Sequence, residues 1–442
     1  MAGQNRSSGE GRAPLARHGV LPTRHPFVTM LAMLGVVLGV VGLSATGVAA
    51  YSVWNAAETI TANAVVLDEE KPLPPSLGAI EGGVNILMVG SDSCEGQDVA
   101  LFPRCANDDS PGERSDVTML VHISDEPRRV TVVSFPRDML VPIPSCPKED
   151  GSGNYSAMSS QMINASYMYG GLACTVLTVE ELTGEKIHFA AAIRWTGVIN
   201  MSDAIGGVDV CVAGDISDRH TGLNLTAGTH TLQGVEALQF LRIRHGIGDG
   251  SDLGRISNQQ QFMSSMVRKL QSDAVLADPG RLLNLATTAI AQVQQGQLVL
   301  SSGLTNPTLM VQIAMAMKDV PYEDIVFVQY PTRYASGGGA SRVLPVTDAA
   351  NALFAALAAN QPLTLTGDAS QGYGVEVTGE VAQQPTTTPE EATPAEGAAE
   401  GAEGAGAAPV DSTAPPAEQR VELPSDIAGQ TAAQTTCTLP EN

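Results

Sequence analysis

The stretch "VNILMVGSD" (84–92) sets the fold. A short, mainly apolar run that stops at Gly-Ser-Asp reads as a buried strand ended by turn residues. Two more follow closely: "VTMLVHIS" (117–124) and "RVTVVSFP" (129–136). Beyond them, "MINASYMYGG" (162–171), "ACTVLTVEELTG" (173–184) and "WTGVINMSDAIGG" (195–207) read as helices, the last two stopped by Gly184 and by Gly206-Gly207. "VDVCV" (208–212) returns to a strand and "GRISNQQQFMSSMVRKLQSD" (254–273) to a long helix. The pattern ends with the strand "DIVFVQYP" (324–331) and the helix "VTDAANALFAALAAN" (346–360). Strands alternating with helices predict an α/β fold, a mixed β-sheet flanked by helices as an α-β-α sandwich, in one domain over 81–368.

The flanks differ from this core. Residues 1–26 are polar and basic, with Arg6, Arg12, Arg17 and Arg24, and no charge occurs from Pro26 to Ala57. An apolar run of that length, basic in front and followed by Glu58, predicts one transmembrane helix over 27–54 with a cytoplasmic N-terminus. The rival is a cleaved signal peptide, for which "VAAYS" offers small residues at a cleavage position. A Pro-containing linker (55–80) leads to the domain. From 375 to 422 the chain is acidic, rich in Pro, Ala and Gly, and poor in large apolar groups, so a disordered tail is expected. The segment 423–442, with Cys437, regains patterning.

The 442 residues carry 24 Lys+Arg against 47 Asp+Glu, a net charge of −23, which argues against a general nucleic-acid binder. There are six cysteines: 94, 105, 146, 174, 211 and 437. None forms a C-x-x-C pair and no histidines sit at zinc-ligand spacing, so disulfides in an oxidising compartment are expected. Cys94 with Cys105, Cys146 with Cys174, and Cys211 with Cys437 are the pairings offered, among fifteen connectivities that six cysteines allow.

Against the acidic background, "FLRIRHGIGDGSDLGRISNQQQF" (240–262) gathers cation. The alternation in "FLRIRH" puts Arg242 and Arg244 on one face of an extended segment, with Leu241 and Ile243 opposite. A Gly-rich turn follows, then a helix with Arg255 and Gln259 one turn apart near its start, where free N–H groups favour anions. Guanidinium pairs match phosphate oxygens. Taken alone, two arginines at this spacing also suit a solvated strand face. The same chemistry recurs at the ends of the three predicted strands: Asp92 after the first, Arg114 and Asp116 before the second, Arg137 and Asp138 after the third. Strand ends line the crevice in open α/β sheets. Asp92 and Asp116 together suggest a hard cation such as Mg²⁺ beside phosphate. The other reading of each aspartate is a turn or cap residue.

In this order, "NILMVGSDS", "RSDVTMLVHIS", "VVSFPRDMLVPIP", "INASYMYGG", "DAIGGVDVCV", "LTAGTHTLQGVEALQFLRIRH" and "DLGRISNQQQF" resemble the LytR-CpsA-Psr family, closely over 84–270 and more loosely to about 365. The resemblance implies a membrane-anchored, Mg²⁺-dependent phosphotransferase whose domain lies outside the cell membrane. It would move a glycopolymer from a polyprenyl-pyrophosphate carrier to peptidoglycan, or in some actinobacteria to other acceptors including protein. Carried over by position, Asp92 and Asp116 match the family's metal-binding aspartates. Arg114, Arg137, Arg242, Arg244 and Arg255 match its pyrophosphate-contacting arginines. Gln161 and Gln259 match polar residues of the pocket, and Asp252 an acid of the active-site turn, offered here as the proton acceptor. This chain has Met162 where the family often has Lys, and Asn258 where it often has Arg; both remove a positive charge.

No G-x-x-x-x-G-K-[ST] loop is present, and a pyrophosphate carrier needs no nucleotide to drive transfer. "ACTVLTVEEL", "AAAIRWTGVI" and "FMSSMVRKL" offer apolar surface for a lipid tail or, equally, for plain core. Two other functions fit the same residues: a hydrolase in which water replaces the acceptor, and a lipid-binding or regulatory envelope protein without turnover.

Overall fold

The three opening strands form as their sequences dictate: β1 (Val84–Ser91), β2 (Ser115–Ile123) and β3 (Val130–Phe135). They run antiparallel in succession and form the middle of a seven-stranded mixed sheet. Phe189–Ile193 adds in parallel to β1, and Ile325–Gln329 in parallel to β3. The short strands Leu298–Leu300 and Gly429–Thr431 close the two edges antiparallel. The structure, a computed structural model, describes residues 64–67, 83–107, 112–148, 150–271, 279–305, 307–335, 342–371, 374–381 and 420–441. The basic segment 1–26, the expected membrane span 27–54, most of the linker and the tail from 382 to 419 lie outside the described residues. Among the described residues, no helix is long and apolar enough to cross a membrane.

Both faces of the sheet are buried, because alternate side chains of each strand feed different cores. Leu87, Val89, Val133 and Phe135 meet the helices Gly171–Thr183 and Thr347–Ala358 on one face. Ile86, Met119, Val132 and Phe327 meet Leu309 and Ile313 of Pro307–Lys318, and Val267 of Asp252–Gln271, on the other. The sandwich expected from the sequence is present. The stretches that offered apolar surface for a lipid tail are largely part of this packing: Val176, Val179, Ala190 and Ala192 are core, and Phe262 joins a third cluster with Val210, Phe240 and Ile243.

A second sheet has the order Gly228–Leu232, Val208–Val212, Gln434–Thr438, Val375–Glu380. It moves the expected boundaries. Val375–Glu380, assigned to the tail by composition, is a strand paired antiparallel to Gln434–Thr438. Gly429–Thr431, beyond the expected limit at 368, is an edge of the main sheet. The physical reason is pairing: a polar strand such as "VEVTGE" cannot bury itself, but a neighbour from farther along the chain takes up its backbone groups. All three offered disulfides are present: Cys94–Cys105, Cys146–Cys174 and Cys211–Cys437.

Two local expectations are corrected. "FLRIRH" is not extended through Arg242: Gly234–Arg242 is a helix, with Ile243 just beyond its end. Ala237, Leu238 and Phe240 bury at helical spacing, and that longer pattern overrides a four-residue alternation. In "MINASYMYGG" only the turn Ala165–Met168 and the last residue, Gly171, which opens Gly171–Thr183, are helical, since Met162 ends the strand Met158–Met162 paired to Leu140–Ile143.

Candidate functional site

Because β2 runs antiparallel to β1 and β3, its start lies at the same end of the sheet as their finishes. That end collects the charged residues. Asp92 follows β1, and its carboxylate accepts the backbone N–H of Arg114 at 2.8 Å. Ser91 faces Ser115 while Gly90 faces Val117, so Asp116 is the extra residue of a bulge, a device that re-aims a side chain. Arg137 and Asp138 occupy the turn after β3, closed by the Met139 N–H donating to the Pro136 carbonyl at 3.0 Å. The helix Gly234–Arg242 ends on Arg242, whose guanidinium stacks 4.1 Å from the Trp195 ring centre. The turn 244–251 follows. Gly246, Gly248 and Gly250 hold φ of 87°, 53° and 72° in it, and a Cβ on Gly246 would meet the Ser217 carbonyl oxygen at 2.6 Å. The long helix Asp252–Gln271 then starts with Asp252 in its first turn, the favourable end for an acid.

The side chains form a continuous ion-pair chain. Arg137 Nη1 donates to Asp116 Oδ1 at 2.6 Å, and Arg137 Nε lies 3.5 Å from Asp252 Oδ1. The Arg137 backbone N–H donates to Asp252 Oδ2 at 3.2 Å. Arg255 pairs with Asp252 and donates to the Asp116 carbonyl at 3.0 Å. Arg244 donates from Nε to the Gly250 carbonyl at 2.8 Å. With Asp138, Ser251, Asp252 and Tyr334 it lines a small cleft. Arg255 and Asp252 are 5% and 6% exposed, so the inner pair is part of the scaffold, while Arg114 stands exposed at the rim.

Electrostatics divides the carboxylates. Burial works against ionised Asp116, but Arg255 and Arg137, with Arg242 behind them, outweigh it and hold the carboxyl below its ordinary range. Burial, then the charge of Asp252, push Asp138 upward in spite of Arg137, Arg244 and Arg255. Asp116 is the anchored anion, and Asp138 the acid nearest to accepting a proton. Arg137, Arg242, Arg244 and Arg255 face Asp116, Asp138 and Asp252, four cations against three anions. The excess of cation suits an anionic ligand.

Of the residues singled out in the sequence, Asp116, Arg137, Asp252 and Arg255 are in direct contact, with Arg242 and Arg244 beside them. Gln259 is 3% exposed and donates to the Leu241 carbonyl at 2.8 Å, so it supports the residue before Arg242. Gln161 sits opposite Val141 in a strand pair, and its side-chain oxygen accepts the Met162 N–H at 2.9 Å. Asn258 is fully buried, joining the Phe240 carbonyl (2.7 Å) to the Thr438 hydroxyl (2.6 Å). Sequence reasoning placed Asp138 at a strand end but gave it no role, and left Trp195 out of the site. Asp138 was legible as the neighbour of Arg137, whereas nothing near Trp195 in the sequence points to Arg242. For a divalent cation, Asp92 and Asp116 supply hard oxygens from adjacent strand ends, and Asp116 is held ionised. Among the described residues no group of three or more His, Cys, Asp or Glu is placed to hold a metal.

The model of the LytR_cpsA_psr family matches residues 50–357. Curated relatives include the cell wall biosynthesis protein LcpA of Corynebacterium glutamicum, 27% identical over 59% of this chain and 52% of that protein. The probable cell wall biosynthesis protein LcpB of the same organism is 30% identical over 60% of this chain and 58% of its own length. The match therefore spans little more than half of either relative. A polyisoprenyl-teichoic acid–peptidoglycan teichoic acid transferase TagU of Bacillus mycoides is 29% identical over 56% of this chain and 74% of its own. Among solved structures, the LytR-Csp2A-Psr enzyme from Actinomyces oris aligns with a TM-score of 0.47 at 22% identity, over 67% of this chain and 96% of that one. With the family model covering well over half its length, the chain belongs to the LytR_cpsA_psr family.

Proposed function

We propose that the protein is a phosphotransferase that moves a glycopolymer from a polyprenyl-pyrophosphate carrier to a hydroxyl of the cell wall. The observation that carries this reading is the arginine-rich centre at the end of β1, β2 and β3, with its positive excess in an otherwise acidic protein. Relatives named for cell wall biosynthesis and for teichoic acid transfer to peptidoglycan agree with it. Arg137, fixed by Asp116 and Asp252, is a rigid donor for phosphate oxygens, and buried Arg255 braces Asp252 and the Asp116 carbonyl behind it; Arg114, Arg242 and Arg244 complete the clamp. The acceptor hydroxyl attacks the phosphorus nearer the sugar. The bond from that phosphorus to the bridging oxygen breaks, polyprenyl phosphate leaves, and a phosphodiester joins glycan to acceptor. Such transfers need positioning and charge stabilisation above all. The hydroxyl proton passes to Asp138, which burial makes more basic than an ordinary aspartate, while Asp252 holds arginines. Mg²⁺ held by Asp92 and Asp116 would add charge neutralisation at the phosphates. The uncharged run from Pro26 to Ala57 would anchor the chain in the cell membrane, with the site on the outer side.

The test uses the full chain in detergent with a polyprenyl-pyrophosphate-linked oligosaccharide, Mg²⁺ and peptidoglycan fragments. The expected products are polyprenyl phosphate and a glycan joined to peptidoglycan through phosphate. Release of free glycan phosphate alone, with acceptor present, would point to a hydrolase. Bound lipid without any product would point to a carrier.

A further inference from the structure

Residues 437–441 reach the arginine-bearing turn from the far side of the sequence. The Gly246 N–H donates to Glu441 Oε2 at 2.8 Å across 195 positions, and the Glu441 N–H returns a bond to the Gly246 carbonyl at 3.0 Å. The Gly248 N–H donates to the Leu439 carbonyl at 3.1 Å, and Ile247 and Pro440 form a β-bridge. One residue earlier, the Thr438 hydroxyl lies 2.6 Å from Asn258 Oδ1 and from Gln261 Oε1. Asn258 in turn holds the carbonyl of Phe240, two residues before Arg242. Cys437 is bonded to Cys211. The segment thus touches the turn that carries Arg244 and the helix that carries Arg255, and reaches the helix that ends at Arg242 through Asn258. A turn with three left-handed glycines is costly to order and adopts other shapes readily when unsupported.

We propose that residues 437–441, fastened by Cys211–Cys437, are a strap that positions Arg242 and Arg244. Glu441 acts through the turn and touches no substrate; it is a positioning residue. Asn258 fits the same role, since its two contacts join strap to helix end. The inference rests on the transferase reading for its consequence in turnover, and on the hydrogen bonds and the disulfide for the strap itself.

The experiment compares wild type, Glu441→Ala, Glu441→Gln and the double variant Cys211→Ser/Cys437→Ser as full chains in detergent. Hydrogen exchange is read over 244–251, and release of polyprenyl phosphate from a polyprenyl-pyrophosphate-linked oligosaccharide, with Mg²⁺ and peptidoglycan fragments present, gives turnover. Glu441 is exposed, so its loss is expected to leave the fold intact. Glu441→Ala is expected to speed exchange in the turn by roughly tenfold and to lower kcat roughly five- to tenfold, with a smaller change in KM. Glu441→Gln keeps a side-chain acceptor and is expected to restore both. The cysteine pair should exceed Glu441→Ala in both readouts. Equal exchange in wild type and Glu441→Ala overturns the strap whatever the turnover. An exchange difference with unchanged kcat overturns its positioning role. Exchange that differs as expected while even wild type releases no polyprenyl phosphate and joins no glycan to peptidoglycan upholds the strap and sinks the transferase reading.

Discussion

Arg255 and Arg114 carry the same charge in opposite settings, and their removal separates scaffold from ligand contact. Arg255 is 5% exposed and pairs with a 6%-exposed Asp252. Arg255→Ala leaves that carboxylate buried with only Arg137 beside it, and is expected to cost about 2 kcal/mol of stability as well as activity. Arg114 is exposed at the rim, so Arg114→Ala should change stability by less than about 0.5 kcal/mol while still weakening substrate binding. Urea unfolding beside release of polyprenyl phosphate in the transfer assay checks both. His122 gives a prediction unrelated to catalysis. Burial, helped by His188, pulls its pKa from 6.5 down to about 4, and the ring stays neutral against the Asn85 side-chain oxygen at 2.7 Å. The unfolded chain takes up a proton near 6.5 that the folded chain refuses until about 4. This stability is therefore fully present above 6.5 and declines as pH falls through that window. Between pH 7.5 and pH 5 it is worth about 2 kcal/mol, so His122→Gln should lose less stability than wild type over that range by urea midpoint.

The long helix Asp252–Gln271 is buried on every side along its first half, which inverts the usual meaning of a polar run. Ser257, Asn258, Gln259, Gln260 and Gln261 are all 3% exposed or less. Gln261 donates to the carbonyls of Cys211 and Thr436, so Gln261→Leu leaves two buried acceptors short of a donor. A loss of about 2–3 kcal/mol is expected by chemical denaturation, against less than about 1 kcal/mol for an exposed glutamine changed the same way. These partners explain what the sequence disclosed and what it hid. The strands were legible because each ends on turn residues, and Trp195–Ile205 because Gly206 stops it with φ of 80°. Asp92, Asp116 and Arg137 were legible as a group because strand polarity alone brings their positions to one end. "FLRIRH" misled, since its alternation is local while its burial is set by the helix upstream. The function of Asn258 was invisible for a related reason: its contacts are Phe240 and Thr438, and a missing charge said nothing about a bridge to a distant strand.

At the scale of the molecule, the acidic stretch read as a free tail is bracketed by fixed chain. The Val381 N–H donates to the Ala433 carbonyl at 2.7 Å, Val375–Glu380 pairs with Gln434–Thr438, and Val421–Glu422 pairs with Leu363–Thr364. Residues 382–419 therefore join two segments that the fold already holds, and the pairing across them is sealed by Cys211–Cys437. Closing a long connection adds little to stability, because its entropy grows only with the logarithm of its length. Cutting it should release correspondingly little. A sequence-specific protease site placed near residue 400 is expected to be cleaved without moving the unfolding midpoint by more than a degree or two. The two pieces should run as one band without reductant and separate with it, because one holds Cys211 and the other Cys437. Reduction after cleavage frees residues 420–441 to leave, and with them Gly429–Thr431 of the main sheet and the strand between Val208–Val212 and Val375–Glu380. A clear fall in the midpoint is expected at that step and not at the cut. Pieces that part without reductant, or a midpoint that drops on cleavage alone, would show that the segment beyond 420 is not built into the domain.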